Sequence, residues 1–369
     1  MTVPFVDLKI QSARLRREIS AAIERAVDDS QFILGDEVSS FERAFAEFCG
    51  ADHCIGVGNG TEALHLTLRA LGIGPGDEVI TAANTFIATA LAIAYTGATP
   101  VLVDVNPDDY LLDIDQIERA ITSRTKAILP VHLFGQPADM PAILEIAKNR
   151  GLLVVSDACQ AHGARIGGES VAAFGDAACF SFYPSKNLGA CGDGGAVVTR
   201  RSELAERIRM LRNYGQRTKN SYSMLGYNSR LDTLQAAILG VKLRYLEQAN
   251  QQRREAAARY GELLKNSDLV LPCERPGITH VYHLYVVRHP QRDELLRHLQ
   301  QAGVQCGIHY PDPIHRLHPF RSVRTVPEGA PVSSRLARQI LSLPMYPGIT
   351  DEAIHRVSEA IKSCLLAAA

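Results

Sequence analysis

The stretch Phe180-Ser181-Phe182-Tyr183-Pro184-Ser185-Lys186-Asn187-Leu188-Gly189-Ala190-Cys191-Gly192-Asp193-Gly194-Gly195 sets one lysine between an aromatic run and a glycine-rich turn. The apolar run 177–182 reads as a buried strand that Pro184 ends, and Ala196-Val197-Val198-Thr199 reads as the strand that returns. A lysine held between two buried strands must leave its charged state or find a partner, because desolvation penalises the ammonium form. Forming an imine with an aldehyde cofactor meets that requirement chemically. Taken by residue type alone, a lysine in a loop is an ordinary solvated side chain; its neighbours set Lys186 apart.

Three further constellations carry chemistry. The short run 54–57 leads into Gly58-Asn59-Gly60-Thr61 and then a helical segment 62–71. A glycine turn followed by a helix offers free backbone N–H groups, a hydroxyl and a favourable dipole to an anion. The glycine spacing fits neither a dinucleotide fingerprint nor a P-loop, and Thr61 capping a structural helix is the alternative reading. Asp157 follows the apolar Leu152-Leu153-Val154-Val155-Ser156, so its carboxylate lies at a buried strand end and needs a cation or strong donors. An aspartate there can also be a plain turn or cap residue, but beside Lys186 it suits a protonated pyridine nitrogen. Finally, Gly307-Ile308-His309-Tyr310-Pro311-Asp312-Pro313-Ile314-His315 concentrates two histidines and a tyrosine in proline-stiffened turns, which hold polar side chains in fixed positions for hydrogen bonding. His315 and His318 have no companion Cys or carboxylate set to complete a metal site.

These residues must be positioned by a scaffold, and the pattern of the chain indicates which. Short β-rich segments at 78–82, 99–103, 126–130 and 152–156 alternate with helical stretches at 86–95, 114–121 and 138–150. That alternation predicts an α/β fold with a mostly parallel sheet between helices, whose ligands sit at the carboxyl ends of the strands. Phe86, Asp157 and the 181–186 loop all follow strands. Two surface helices are expected at 8–27 and 36–48, and a long helical segment at 231–260 carries the chain out of the large domain. Beyond it, strands at 281–287 and 304–308 and helices at 292–301 and 351–366 suggest a small C-terminal α+β domain. The division falls at residue 246, giving domains over 1–246 and 247–369. Between Asn213 and Tyr227 lies a polar loop in which Tyr214, Arg217 and Tyr222 either cross the surface or line a site that receives an anion.

At 369 residues the chain can bury an ample core without stapling. Its 39 Lys+Arg against 40 Asp+Glu give no long-range field for nucleic acid or an acidic membrane, so an anionic ligand must be held locally. No basic stripe or DNA-binding helix-turn-helix appendage is visible. The eight cysteines lack metal-ligand spacing and read as buried free thiols in a reducing cytoplasm. No run is long enough to span a bilayer.

Gly58-Asn59-Gly60-Thr61-Glu62-Ala63-Leu64, Asp157-Ala158-Cys159-Gln160-Ala161-His162-Gly163, Ser181-Phe182-Tyr183-Pro184-Ser185-Lys186-Asn187-Leu188-Gly189 and Gly226-Tyr227-Asn228-Ser229-Arg230-Leu231 occur together and in this order. In this the chain resembles the nucleotide-sugar aminotransferases, the fold-type I pyridoxal-phosphate enzymes of the DegT family, from about Phe5 into the C-terminal helix. The resemblance implies that Lys186 is the catalytic imine partner of pyridoxal 5'-phosphate, with pyridoxamine phosphate as the intermediate form. It implies that Asp157 pairs with the pyridine nitrogen, that Gln160 reaches the ring hydroxyl side and that Phe86 stacks on the ring. Gly60, Thr61 and Ser181 would bind the phosphate, and Asn228 would reach the phosphate of a neighbouring subunit in a homodimer with active sites at its interface. Cys159 stands where the family often has alanine. Tyr183 would orient lysine or sugar, or simply pack, and His309, Tyr310, His315, Arg217 and Tyr222 are the candidate substrate contacts.

The 309–315 segment resembles that of family members aminating position 3 of a dTDP-linked 3-keto-6-deoxyhexose with L-glutamate as donor, the sugars of polysaccharides, S-layers or antibiotics. The alternatives are a 4-keto or UDP-linked uronic substrate, a pyridoxamine-dependent dehydratase, which Lys186 disfavours because those enzymes commonly carry histidine there, and a non-catalytic cofactor-binding regulator.

Overall fold

The computed structural model of the chain describes residues 2–368. Its centre is an eight-stranded sheet. Five strands each precede a helix or turn in the expected alternation: β1 (His53–Val57), β2 (Glu78–Ala82), β3 (Thr99–Val103), β4 (Thr125–Leu129) and β5 (Leu153–Asp157). They are followed by β6 (Ala177–Ser181) and β7 (Gly195–Thr199). In space the order is β1-β7-β6-β5-β4-β2-β3, and β7 alone runs against its neighbours.

The strands are apolar on both faces because helices cover both. Val79, Ala127, Val155, Cys179 and Val197 face one core with α3 (Gly60–Ala70) and α7 (Ser202–Leu211), while the alternate residues Ile80, Ile128 and Val154 face another. That second layer includes α5 (Ile114–Ala120) and α6 (Met140–Arg150). Such two-sided burial is what a parallel sheet requires. The helix ends are specified locally: Asp139 accepts the Ala142 N–H at the start of α6, Pro141 sits in its first turn, and Gly151 ends it at φ 65°.

Of the two expected surface helices, α1 (Leu8–Asp28) lies over α8 (Thr233–Leu243) with only Leu15, Ala22 and Ala26 buried. The second, α2 (Asp36–Phe48), is a core helix: Phe41 and Phe45 are 2% and 0% exposed, and the Phe45 ring meets Phe180 and Phe182 edge-on at 5.1 and 5.4 Å. It thus packs directly beneath the strand that leads to Lys186.

Three expected elements of secondary structure change as well. The helix expected over 231–260 is two helices, α8 and α9 (Leu246–Leu264), separated at Arg244 and Tyr245. The turn is fixed from outside, since Lys242 donates to the Gly189 carbonyl and Tyr245 to Glu18 Oε1. The strand expected at 281–287 is confined to β8 (Tyr285–Arg288), because Tyr282 sits at φ 43° and the segment before β8 folds over the Phe134–Gly135 turn. The strand expected at 304–308 is absent: Val304 bridges Val3 and Gly307 bridges Ser342, so no ladder extends. The C-terminal part packs α9, α10 (Arg292–Gln301) and α12 (Asp351–Ala368) around the antiparallel pair β8 and β10 (Ile340–Leu343). Between these strands, β9 (Thr325–Val326) crosses back and adds a parallel edge strand to β3, and α11 (Pro331–Leu336) is capped by the buried Asp104 after β3. The eight cysteines are free, with Cys191 and Cys273 exposed rather than buried. Among the described residues no helix is long and apolar enough to cross a membrane.

Because Phe45 is enclosed by four other phenylalanines, Phe41, Phe48, Phe180 and Phe182, Phe45→Ala should cost about 3–5 kcal/mol, read as a shift in the urea unfolding midpoint.

Candidate functional site

The carboxyl ends of β1, β2, β5 and β6 bring together Gly60, Phe86, Asp157 and the 182–194 loop. Gly60 opens α3, with Asn59 as cap accepting the Glu62 N–H at 2.9 Å. A Cβ on Gly60 would lie 2.6 Å from Ser181 Cβ and 2.8 Å from Cys159 Sγ, so only glycine lets the helix start this close to the ends of β5 and β6. The first turn of α3 is thereby set against Ser181, with the Gly60 and Thr61 N–H groups unspent within the helix.

Asp157 ends β5 and is 6% exposed. Its Oδ2 accepts from Thr89 Oγ1 at 2.8 Å and its Oδ1 from the Cys159 N–H at 3.1 Å. Both donors are neutral, and no basic side chain pairs with the carboxylate among the described residues. The nearest cation is Lys186, which feels the Asp157 charge without reaching hydrogen-bond distance. Burial lowers the Lys186 ammonium from its ordinary value, against the opposing pull of Cys159 and Asp157, and its amine makes no hydrogen bond among the described residues. An unpaired amine and an unneutralised carboxylate therefore face one space.

The lysine loop is held from four sides. Lys186 N–H donates to the Tyr183 carbonyl at 2.8 Å, and α8 clamps the far end through Lys242 to Gly189 O (2.7 Å) and Cys191 N–H to Gln235 Oε1 (2.8 Å). Asn187, directly after the lysine, donates to Asn250 Oδ1 and the Val281 carbonyl at 2.8 and 2.9 Å, while its own Oδ1 lies 3.2 Å from His283 Nδ1. Asn250 in turn donates to the His162 carbonyl. His283 and His162 are pushed down by burial first and the Lys186 charge second, His162 to about 3, so both rings beside the amine are neutral.

The 309–315 segment approaches from the C-terminal part. Tyr310 hydroxyl accepts from Gln160 Nε2 at 3.1 Å, and its ring lies 5.3 Å from that of Phe86. Gln160 Oε1 accepts the Phe134 N–H at 2.6 Å, which fixes the amide's orientation. His309 Nδ1 is 2.8 Å from Ser342 Oγ, and burial, then Lys186, bring the imidazole down to about 4. His315 is not beside His309: its Nε2 lies 3.3 Å from Ser334 Oγ of α11, and its Nδ1 is buried without a partner.

The remaining candidates are exposed. Phe86 and Tyr183 are 49% and 57% exposed at the mouth. Arg217 and Tyr222 sit on an exposed hairpin of residues 216–222, and Asn228 is exposed beside it, bridging Asn213 through the backbone. None of these three makes a hydrogen bond to Lys186, Asp157 or the 309–315 segment. Thr89, Asn187, Asn250 and His283 escape the sequence reading. Thr89 carries a usable signal, one helical turn past Thr85 in α4 (Ile87–Tyr95), the helix that follows Phe86; the others support the site from distant elements and carry none. Among the described residues no group of three His, Cys, Asp or Glu is placed to hold a metal ion.

A buried carboxylate, an amine whose pKa burial lowers and a helix N-terminus at neighbouring strand ends suit amine chemistry on a flat, anionic aromatic group. Comparison with known proteins agrees. The model of the DegT/DnrJ/EryC1/StrS aminotransferase family matches residues 13–362. The chain is 49% identical to the dTDP-3-amino-3,4,6-trideoxy-alpha-D-glucose transaminase of Streptomyces venezuelae, covering 98% of this chain and 95% of that protein. It is 47% identical to the UDP-N-acetyl-3-dehydro-alpha-D-glucosamine 3-aminotransferase of Acidithiobacillus ferrooxidans, covering 98% of each. The crystal structure of S. venezuelae DesV in complex with a ketimine intermediate superimposes with a TM-score of 0.96 at 48% identity, over 98% of both chains. The chain belongs to the DegT/DnrJ/EryC1/StrS aminotransferase family.

Proposed function

We propose that the protein transfers the amino group of L-glutamate to C3 of a dTDP-linked 3-keto-6-deoxyhexose, using pyridoxal phosphate. The observation that carries the cofactor is the unpartnered Lys186 amine opposite the unneutralised, buried Asp157. A pyridinium would be the cation Asp157 lacks, and the free N–H groups of the first turn of α3, held against Ser181, suit a phosphate. When bound, the cofactor supplies an electrophilic aldehyde and an electron-withdrawing ring. The chain's residues do the rest. Asp157, steadied by Thr89, holds the ring nitrogen's proton. Gly60, Thr61 and Ser181 hold the phosphate, and Phe86 and Gln160 bound the ring. Lys186 takes a proton at Nζ and returns it to the acceptor carbon, a task its lowered pKa suits because the free amine is the working form.

The substrate rests on the 309–315 segment and on the kind of reaction named for the similar proteins. His309 is neutral and no arginine lies within 309–315, so the segment offers hydrogen bonds to hydroxyls and no clamp for a sugar carboxylate. A UDP-linked 3-keto sugar is the second reading, favoured by the likeness to the A. ferrooxidans enzyme. We place the reaction in the cytoplasm, where eight free thiols stay reduced. We read the protein as a homodimer with shared sites, a reading supported by the arm 213–228, which leaves Tyr214, Tyr222 and Leu225 exposed at 45%, 62% and 94%. A second subunit over that arm would bring Asn228 to the neighbour's phosphate, with Arg217 and Tyr222 beside it.

Borohydride treatment of the loaded protein should fix the cofactor to the peptide containing Lys186, and label on Lys126, Lys148, Lys219 or Lys242 would overturn the assignment. Mixing inactive Lys186→Ala with inactive Asn228→Asp subunits should restore activity, because each mixed dimer rebuilds one whole site; sedimentation of an active monomer would exclude it. With both half-reactions followed by absorbance, His309→Ala should cost about 1–3 kcal/mol in the sugar half and leave the glutamate half nearly intact. Equal damage to both halves would assign His309 to the fold, and faster turnover of a 4-keto or UDP-linked sugar would overturn the substrate.

A further inference from the structure

The chain's first residues have no part in the cofactor chemistry, yet they end beside the sugar segment. Val3 and Val304 form a parallel bridge: Val3 N–H donates to the Gly303 carbonyl and Gln305 N–H to the Val3 carbonyl, both at 2.9 Å. Two residues on, the Met345 N–H donates to the Phe5 carbonyl at 3.3 Å and the Phe5 N–H to Gln305 Oε1 at 3.4 Å. The strap is thus pinned on either side of Phe5 before Asp7 caps α1.

What this pinning positions is the Phe5 ring. It stacks on His309 with centroids 5.5 Å apart and planes 16° from parallel. The same imidazole is tied to Ser342 through Nδ1 and folds back over Gly307, where a Cβ would stand 2.7 Å from His309 Cε1 and 3.5 Å from Phe5 Cζ. His309 then meets Tyr310 edge-on at 5.6 Å, and Tyr310 reaches Phe86 and Gln160 at the cofactor end of the site. An imidazole confined on one face by a flat ring and at one nitrogen by a hydroxyl keeps one rotamer, and the other nitrogen keeps one direction. We propose that Phe5 is a positioning residue for the sugar: its stack fixes His309, and so orders Tyr310, for the incoming nucleotide sugar, with no share in the glutamate half-reaction. The proposal rests on the reading that His309 serves the sugar.

The test compares wild type with Phe5→Leu, which keeps apolar bulk without the flat face, and with Phe5→Tyr, which keeps the ring. Each half-reaction of the loaded dimer is followed separately by absorbance, and unfolding temperatures are recorded. We expect Phe5→Leu to slow the sugar half about tenfold at low sugar, chiefly through weaker sugar binding, and the glutamate half by less than about twofold. Phe5→Tyr should return the sugar half to near the wild-type rate. Equal slowing of both halves, failure of Phe5→Tyr to rescue, or no change in the sugar half would each overturn the proposal. The substrate reading fails separately: if the wild type prefers another ketosugar, the same comparison on that sugar still decides the role of Phe5.

Discussion

Two charges that water would readily solvate, the Asp157 carboxylate and the Lys186 ammonium, are brought to one buried space without being allowed to meet. Direct pairing would neutralise both and leave nothing for a ligand. Held apart, each is costly: the carboxylate has a hydroxyl and one backbone N–H where it would accept more, and the amine is pushed toward its neutral form. Only a frame with stability to spare can carry such a site, and the apolar strands β5 and β6, enclosed on both faces, provide it. The strain is local and functional, as expected where a site must bind a charged, flat partner tightly.

Much of this was legible in order along the chain. Alternating strand and helix patterns place Asp157, Phe86 and the 181–186 loop just after strands, and the structure has them at the carboxyl ends of β5, β2 and β6. The reason is that such segments are decided by local patterning and by burial on both faces. What escaped was decided by distant partners. Thr89 under Asp157, and Asn250 and His283 around Asn187, are ordinary polar residues in their own segments, and they become informative only once β5, α9 and the lysine loop are packed together. The break between α8 and α9 is of the same kind: helical propensity runs through it, and Gly189 and Glu18 impose the turn from outside. The segment 304–308 has strand-like residues and no neighbour to pair with over more than one position. The 213–228 arm lies largely on the surface, one of the two readings its composition allowed.

The neutral state of the histidines is a second theme. His162, His283 and His309 surround an amine that must itself shed a proton, and each is held uncharged chiefly by burial. A protonated imidazole in any of these places would repel the ammonium and compete for the carboxylate. Neutral rings instead give shape and hydrogen-bonding directions at little electrostatic cost.

The edge strand β9 has a consequence for the order in which the molecule is made. Leu102 in β3 pairs with Thr325, and Asp104 just beyond it caps α11. During synthesis from the N-terminus, β3 emerges long before its edge partner and stands as an open strand edge until most of the chain has left the ribosome. Closure of that edge is therefore a late, long-range event. A chain lacking residues 325–326 would leave the β3 edge open, a ready template for strand addition.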